Sequence, residues 1–280
     1  MNFIGIIPAR YASTRFEGKP LCRIGGKTMI ERTYNQAVKV KEFAEVIVAT
    51  DDERIYNEVL SFGGKAVMTS ENCCSGTDRC AEAFQQLDFS ENDTVVVNIQ
   101  GDEPFIKPEQ IQELIRCFEF PPTRHAELVS ASPTNETSPQ PPPKEGEFSI
   151  PFGEGWGGVQ IATLIKEIDS QEMLENPNIV KVVISNENKA LYFSRCPIPF
   201  LRNITFAETV FYKHIGIYAY KAAVLAKLVK LPPSSLEKAE SLEQLRWLQA
   251  GYSIYTQHTK YEASISIDTP EDLELVNNEK

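Results

Sequence analysis

The sequence has no apolar run approaching the length of a bilayer span, and its N-terminus carries a short apolar stretch without a charged leader. Both absences argue against a membrane segment and a secretory signal, so the chain reads as cytoplasmic with no membrane partner. Its six cysteines, Cys22, Cys73, Cys74, Cys80, Cys117 and Cys196, contain no C-x-x-C pair. That disfavours a thiolate metal centre or a disulfide framework, and buried thiols are expected instead. Neither G-x-x-x-x-G-K-[ST] nor G-x-G-x-x-G occurs, which disfavours P-loop NTPases and dinucleotide enzymes. Positive charge is also short, with 28 Lys and Arg against 39 Asp and Glu and a formal net charge of -11. Such a surface attracts neither nucleic acid nor anionic lipid, so no nucleic-acid partner is expected and any anionic ligand must be drawn locally.

What is present is the composition of a soluble globular protein, 280 residues at 42% hydrophobic and 24% charged. Phe3 to Ile7 is an apolar run of the length of a strand buried on both faces, and Pro8, lacking a donor, is expected to end its ladder. The loop that follows carries Arg10, Ser13, Thr14, Arg15 and Lys19, three cations and two hydroxyls within ten positions. Guanidinium forks and a lysine point charge, supported by hydroxyls and loop amides, are what a triphosphate requires.

Further along, Met29 to Val40 has helical spacing, and Glu45 to Ala49 reads as a strand closing on Thr50-Asp51-Asp52. The next helix is expected to be capped by Thr50 or Asp51, to face the core with Ile55, Val59 and Leu60, and to stop at Gly63-Gly64. A short strand over Lys65 to Met68 then leads to Ser75-Gly76-Thr77-Asp78-Arg79, where small residues open a helix running to about Leu87 and admit close backbone approach to a ligand. Thr94 to Ile99 is the most strongly β-branched run and the expected central strand. It delivers Gln100-Gly101-Asp102-Glu103-Pro104, a carboxylate at a strand end that can hold Mg²⁺. Pro108 to Phe118 reads as a helix, Val159 onward as a strand, and Ile179–Ile184 with Ala190–Phe193 as a strand pair. Strands alternating with helices in this way give an α/β fold, a mostly parallel central sheet with helices on both faces and ligands at the carboxyl ends of the strands.

The opening Ile7-Pro-Ala-Arg-Tyr-Ala-Ser-Thr-Arg15 stretch resembles the P-A-R-x-x-S-x-R-x-x-x-K-x-L signature of the nucleotidyltransferases that make CMP-activated acid sugars, and among them the cytidylyltransferases of 3-deoxy-manno-octulosonate (Kdo). Ser75-Gly-Thr-Asp-Arg79, Gln100-Gly-Asp-Glu-Pro104, Tyr192-Phe-Ser-Arg195, Lys213-His-Ile-Gly-Ile-Tyr218, Leu242-Glu-Gln-Leu-Arg246 and Ile267-Asp-Thr-Pro-Glu-Asp-Leu273 resemble further motifs of that group. The resemblance implies a Rossmann-like nucleotidyltransferase fold with a small β extension, a homodimer, and transfer from CTP to Kdo. It implies that Arg10, Ser13, Arg15, Lys19, Ser75, Gly76, Thr77, Arg79 and Gln100 contact CTP, and that Tyr192, Ser194, Arg195, His214, Glu243 and Gln244 contact the sugar. Asp102 and Asp268 would hold Mg²⁺, with Lys19, Asp102 and Arg10 carrying the chemistry. No side chain presents itself as a separate general base. His125 and His258 have no such context and read as surface residues. Two alternatives stay open: activation of another acid sugar, such as 8-amino-Kdo or a sialic acid, and a non-catalytic nucleotide-binding protein of the same fold.

The resemblance covers the whole chain as a single domain except 121–158. There prolines, serines and threonines give way to Gly153-Glu-Gly-Trp-Gly-Gly158, with no surviving period of two or 3.6, the composition of a flexible insert. Ordering such a segment costs about 1 to 2 kcal/mol per residue, and its few apolar groups cannot offset that. Replacing residues 122–157 with a short Gly-Ser link is therefore expected to leave activity and melting temperature almost unchanged. Loss of either would show that the segment belongs to the working structure.

Overall fold

In the computed structural model, which describes residues 1–12, 16–119, 158–262, 267, 269 and 271–274, the first strand is an interior strand of the main sheet. This strand, β1 (Asn2–Ala9), buries Phe3 and Ile7 on one face and Ile4 and Ile6 on the other, as a strand covered on both sides must. A two-residue pair, β2 (Arg23–Ile24) and β3 (Lys27–Thr28), precedes α1 (Met29–Ala37), β4 (Phe43–Thr50), α2 (Glu53–Ser61), β5 (Ala66–Met68) and α3 (Gly76–Gln85). Then come β6 (Thr94–Asn98) and α4 (Pro108–Glu119), and after the undescribed segment β7 (Ile161–Glu167), α5 (Gln171–Glu175), β8 (Lys181–Ile184) and β9 (Ala190–Ser194). The chain continues through β10 (Tyr212–Lys221), α6 (Ala222–Leu228), α7 (Ser235–Glu240), α8 (Gln244–Gln249) and β11 (Ile254–His258).

The main sheet runs β11-β7-β10-β6-β1-β4-β5, with β8 and β9 attached alongside β10. Pairings are parallel except those of β10 with β6, β7 and β8, and of β8 with β9. Strand β6 is the middle of that order, as its β-branched run requires. Val95 and Val97 face a core shared with α1, α2 and α4, while Val96 faces one shared with α3, α6 and α8. The second core is the more aromatic: Trp247 meets Tyr218 and Tyr220 edge-on, at centroid distances of 5.2 and 5.5 Å. None of the described helices is long and apolar enough to cross a membrane.

Several sequence expectations need correction. Pro8 does not end the ladder: it lies within β1 and pairs with Ala49. Ile6 directs its carbonyl to Ile99 N–H, toward β6, and Pro8 two residues on points the same way, past the last β1–β6 pair. Its missing donor therefore falls where no partner waits. The cap of α2 is Asp52, whose carboxylate accepts from Arg54 N–H at 2.9 Å, and not Thr50 or Asp51. Leu60 faces solvent at 48% exposure, while Ile55 and Val59 are fully buried. Of the cysteines only Cys80 and Cys117 are buried; Cys74 and Cys196 are exposed. His258 lies edge-on to Tyr212, 5.0 Å between ring centroids. His125 and all of 121–158 except Gly158 fall outside the described residues, as do Ser13, Arg15 and Asp268.

Candidate nucleotidyl-transfer site

The chain leaves β1 toward β4 on one side and returns, through β5 and α3, to β6 on the other side of β1. The loops following β1 and β6 therefore diverge at the carboxyl edge of two parallel neighbours and open a crevice between them. A cavity of about 260 Å³ occupies this place, lined by Pro8, Ala9, Arg10, Lys19, Pro20 and Met29, by Cys73 to Gly76 with Arg79, and by Gln100, Gly101 and Asp102. Small residues make the walls: a Cβ on Gly101 would stand 2.8 Å from the Pro8 carbonyl oxygen, and one on Gly76 3.2 Å from the Pro8 ring. Backbone that close to backbone admits only glycine at 101.

Each wall contributes a different group. The β1 loop is closed by Gly18 N–H donating to the Tyr11 carbonyl at 3.0 Å, and Gly18, at φ 69°, turns the chain into the short 3-10 turn Lys19–Leu21. A side chain at 18 would also strike the Tyr11 ring. Lys19 emerges buried, and its ammonium donates to Asp102 Oδ2 at 2.8 Å. Arg10 is exposed on the same rim. Gln100 Nε2 donates to the Gly216 carbonyl at 3.3 Å, which anchors the loop after β6 to the irregular stretch of β10.

The opposite wall is the start of α3. Ser75 caps it by accepting from Asp78 N–H, and Asp78 returns the bond to Ser75 N–H, a reciprocal capping box. This places the N-terminus of α3, at Ser75 and Gly76, in the cavity lining, where the helix dipole favours an anion. Arg79, expected near phosphate, lines the cavity but its guanidinium is engaged elsewhere: it donates to Asp51 Oδ2 at 2.7 Å and Thr69 Oγ1 at 2.6 Å. Arg79 thus ties α3 to the ends of β4 and β5. Glu243, just before α8, accepts from Ser75 Oγ at 3.0 Å and Thr77 Oγ1 at 2.8 Å. Burial raises its pKa above the usual carboxylate range, and the two hydroxyl bonds partly oppose the shift.

Of the other predicted sugar contacts, Tyr192 and Ser194 lie on β9, Arg195 just after it, His214 on β10 and Gln244 on α8, all outside the cavity lining. Ser194 is buried and donates to Glu240 Oε1 at 2.6 Å; Arg195 donates through Nε to the Glu240 carbonyl and through Nη1 to the Pro177 carbonyl. Tyr192 is half-buried beside them, and Gln244 is buried at the start of α8. His214 lies between Phe193 and Tyr218, 5.1 and 5.2 Å centroid to centroid, with Nε2 3.0 Å from Thr163 Oγ1. Glu243 bridges the two groups: it belongs to the sugar motif in sequence and holds the nucleotide loop in space. Glu240 gave no signal in the sequence, because a glutamate ending a short helical stretch reads as surface.

For Mg²⁺, the described residues supply one hard oxygen ligand, Asp102, whose side chain is 34% exposed toward the cavity. Among them no group of three or more His, Cys, Asp or Glu could hold a metal on its own. Mg²⁺ commonly takes one or two carboxylates and completes its shell with substrate phosphates and water, so this donor set fits. Ile267 N–H donates to the Asp102 carbonyl at 3.4 Å, which brings the segment preceding Asp268 to the same wall.

At this sheet switch point the cavity brings together the N-terminus of α3, two cations, Arg10 and Lys19, and the Asp102 carboxylate. Residues 4–260 match the family described as cytidylyltransferase, and the chain belongs to that family. Among its relatives, 3-deoxy-manno-octulosonate cytidylyltransferase of Parabacteroides distasonis is 49% identical, over 98% of this chain and 96% of that protein. An 8-amino-3,8-dideoxy-manno-octulosonate cytidylyltransferase of Shewanella pealeana is 43% identical, over 98% and 97%. The solved structure of a CMP:2-keto-3-deoxy-manno-octonic acid synthetase complexed with CTP superposes with a TM-score of 0.81 at 37% identity, covering 99% of this chain and 98% of that one.

Packing between aromatic rings also bears on the state of half-buried His214. Thr163 Oγ1 lies 2.8 Å from the Ile217 carbonyl and 3.2 Å from the Ile215 carbonyl; with its single proton on either, the imidazole donates through Nε2–H and leaves Nδ1 as an acceptor. Desolvation lowers its pKa from the ordinary 6.5 to about 3. A folded pKa below the unfolded one means that His214 contributes stability above pH 6.5, and that this is lost as pH falls toward about 3. NMR of the ring nitrogens is expected to show the neutral Nε2–H tautomer from about pH 8 down to about pH 5. A midpoint near the ordinary value would show a solvated ring instead.

Proposed function

We propose that this chain transfers the cytidylyl group of CTP to Kdo, giving CMP-Kdo and diphosphate, and so supplies activated Kdo for lipopolysaccharide synthesis. The observation that carries the reading is the cavity between the ends of β1 and β6, where Lys19 and Asp102 meet at 2.8 Å under the N-terminus of α3. Sequence kinship with Kdo cytidylyltransferases over nearly the whole chain supplies the substrate pair. The anomeric oxygen of the sugar forms a bond to the α-phosphorus, the bond from that phosphorus to the bridging oxygen breaks, and diphosphate departs with the pair. The hydroxyl proton leaves to solvent or phosphate.

Catalysis of this kind is mostly positioning and neutralisation. Arg10, Lys19 and the first amides of α3 would cradle the triphosphate, with Lys19 turning from Asp102 toward the departing diphosphate. Gln100, anchored to Gly216, would face the cytosine. Asp102, with Asp268, would hold Mg²⁺, which when bound supplies charge at the α-phosphate and acidifies the attacking hydroxyl. Arg195 would take the sugar carboxylate, while neutral His214 would accept from a hydroxyl at Nδ1. Arg79 supports the nucleotide loop from behind. The sugar-side segment also exposes Leu191, Phe200, Ile204 and Val210, with Phe200 at 86%, and a second copy of the chain is the occupant we assign to this apolar surface. The enzyme is read as a cytoplasmic homodimer.

Diphosphate release from CTP with Kdo, 8-amino-Kdo and a sialic acid is expected to be fastest with Kdo. A preference for the amino sugar would assign the chain to the activity named for the Shewanella relative. Asp102→Asn is expected to lower turnover by at least ~10²-fold with the fold intact, since an amide offers Mg²⁺ a neutral oxygen in place of a charge. Turnover within a few-fold of wild type would remove Asp102 from the metal site.

A further inference from the structure

The turn between α7 and α8 joins two glutamates that face different motifs. Glu240 ends α7, Ser241 follows in the left-handed conformation at φ 53°, Leu242 plugs into the aromatic core, and Glu243 precedes α8. Because Ser241 reverses the chain while Leu242 anchors it, the two carboxylates are held in fixed directions. Glu243 takes the hydroxyls of Ser75 and Thr77. Glu240 takes the other motif: its carboxylate accepts from Ser194 Oγ at 2.6 Å and from Arg195 N–H at 2.9 Å, and its carbonyl accepts from Arg195 Nε at 2.8 Å.

Three bonds from one residue to Ser194, which ends β9, and to Arg195 just after it fix both the strand end and the side chain. A second surface completes the clamp. Arg195 Nη1 donates to the Pro177 carbonyl at 3.1 Å, and fully buried Lys181 donates to the adjoining Asn176 carbonyl at 2.9 Å. The guanidinium is thus anchored through neutral carbonyls, and the Glu240 carboxylate is directed at a hydroxyl and an amide. Arg195 keeps its charge and its remaining N–H fork for an incoming carboxylate, at a place set before the ligand arrives.

We propose that Glu240 is a positioning residue for the acid sugar: it presets Ser194 and Arg195, and through the 240–243 turn it links them to the nucleotide loop that Glu243 holds. The proposal rests on the reading above, in which Arg195 binds the sugar carboxylate. A residue that merely held the fold together would lower thermal stability and disturb both substrates alike. A positioning residue changes one KM.

Steady-state kinetics with CTP and Kdo on the full chain separate the cases. Glu240→Gln, which keeps one acceptor and removes the other, is expected to raise the KM for Kdo by roughly ten-fold, the worth of a lost charge-assisted hydrogen bond. The KM for CTP should stay within about two-fold and the melting temperature within a few degrees. Adding Ser194→Ala to Glu240→Gln should raise the KM for Kdo by less than the product of the single effects, because both remove the same bond. Equal rises in both KM values, or a large fall in melting temperature with KM for Kdo unchanged, would overturn the proposal. Arg195→Ala tests the reading beneath it. If that variant raises the KM for Kdo and Glu240→Gln does not, the positioning role alone is wrong; if neither does, the sugar site is elsewhere.

Discussion

The parallel contact of β1 with β6 is the constraint on which the site depends. The two strands run side by side from Asn2 and Thr94 to Ile6 and Asn98, and their successors cannot continue together because the chain departs to opposite sides of the sheet. The crevice is a consequence of connectivity, and what lines it is a consequence of close approach. Gly101 lies against the Pro8 carbonyl with no room for a Cβ, and that proximity brings Asp102 within 2.8 Å of Lys19. A methyl group at 101 would part the strand ends and separate the one described carboxylate of the site from its cation.

Around that centre the protein manages charge by anchoring its cations before use. An acidic chain has few to offer, and each polar group in a partly buried site must find partners. Arg79 is held by Asp51 and Thr69, Arg195 by two carbonyls, Lys19 by Asp102. The three serve different ends. A buried guanidinium paired with a carboxylate is a strut, one held by carbonyls has no acidic partner in its clamp, and a lysine paired with a partly exposed carboxylate sits at the cavity wall. Preorganisation of this kind lowers the reorganisation that a transition state would otherwise demand.

Much of the site was legible in the sequence because its groups lie in contiguous motifs at strand ends. Lys19, Asp102, Gln100 and the Ser75-Gly76 cap converge where the strand-end reading put them. The direction of Arg79 was not legible, because its partners Asp51 and Thr69 are 28 and 10 residues away and only the folded sheet brings them to it. The same holds for Glu243, 168 residues from Ser75. Leu60 was misjudged because helical period locates a stripe, whereas its edge is decided by how α2 sits on the sheet.

Local chemistry alone determined the strands, most helix limits and the identity of the groups at the crevice. Alternation, β-branching and capping act over a few residues, and the motifs are short enough to survive as text. Tertiary structure decided which side of β1 each loop takes and why a proline is tolerated inside the first strand. It decided that His214 stays neutral and that Glu240 serves Ser194 and Arg195. These depend on desolvation and on contacts between segments far apart in the chain, and both exist only once the sheet has closed over its two cores.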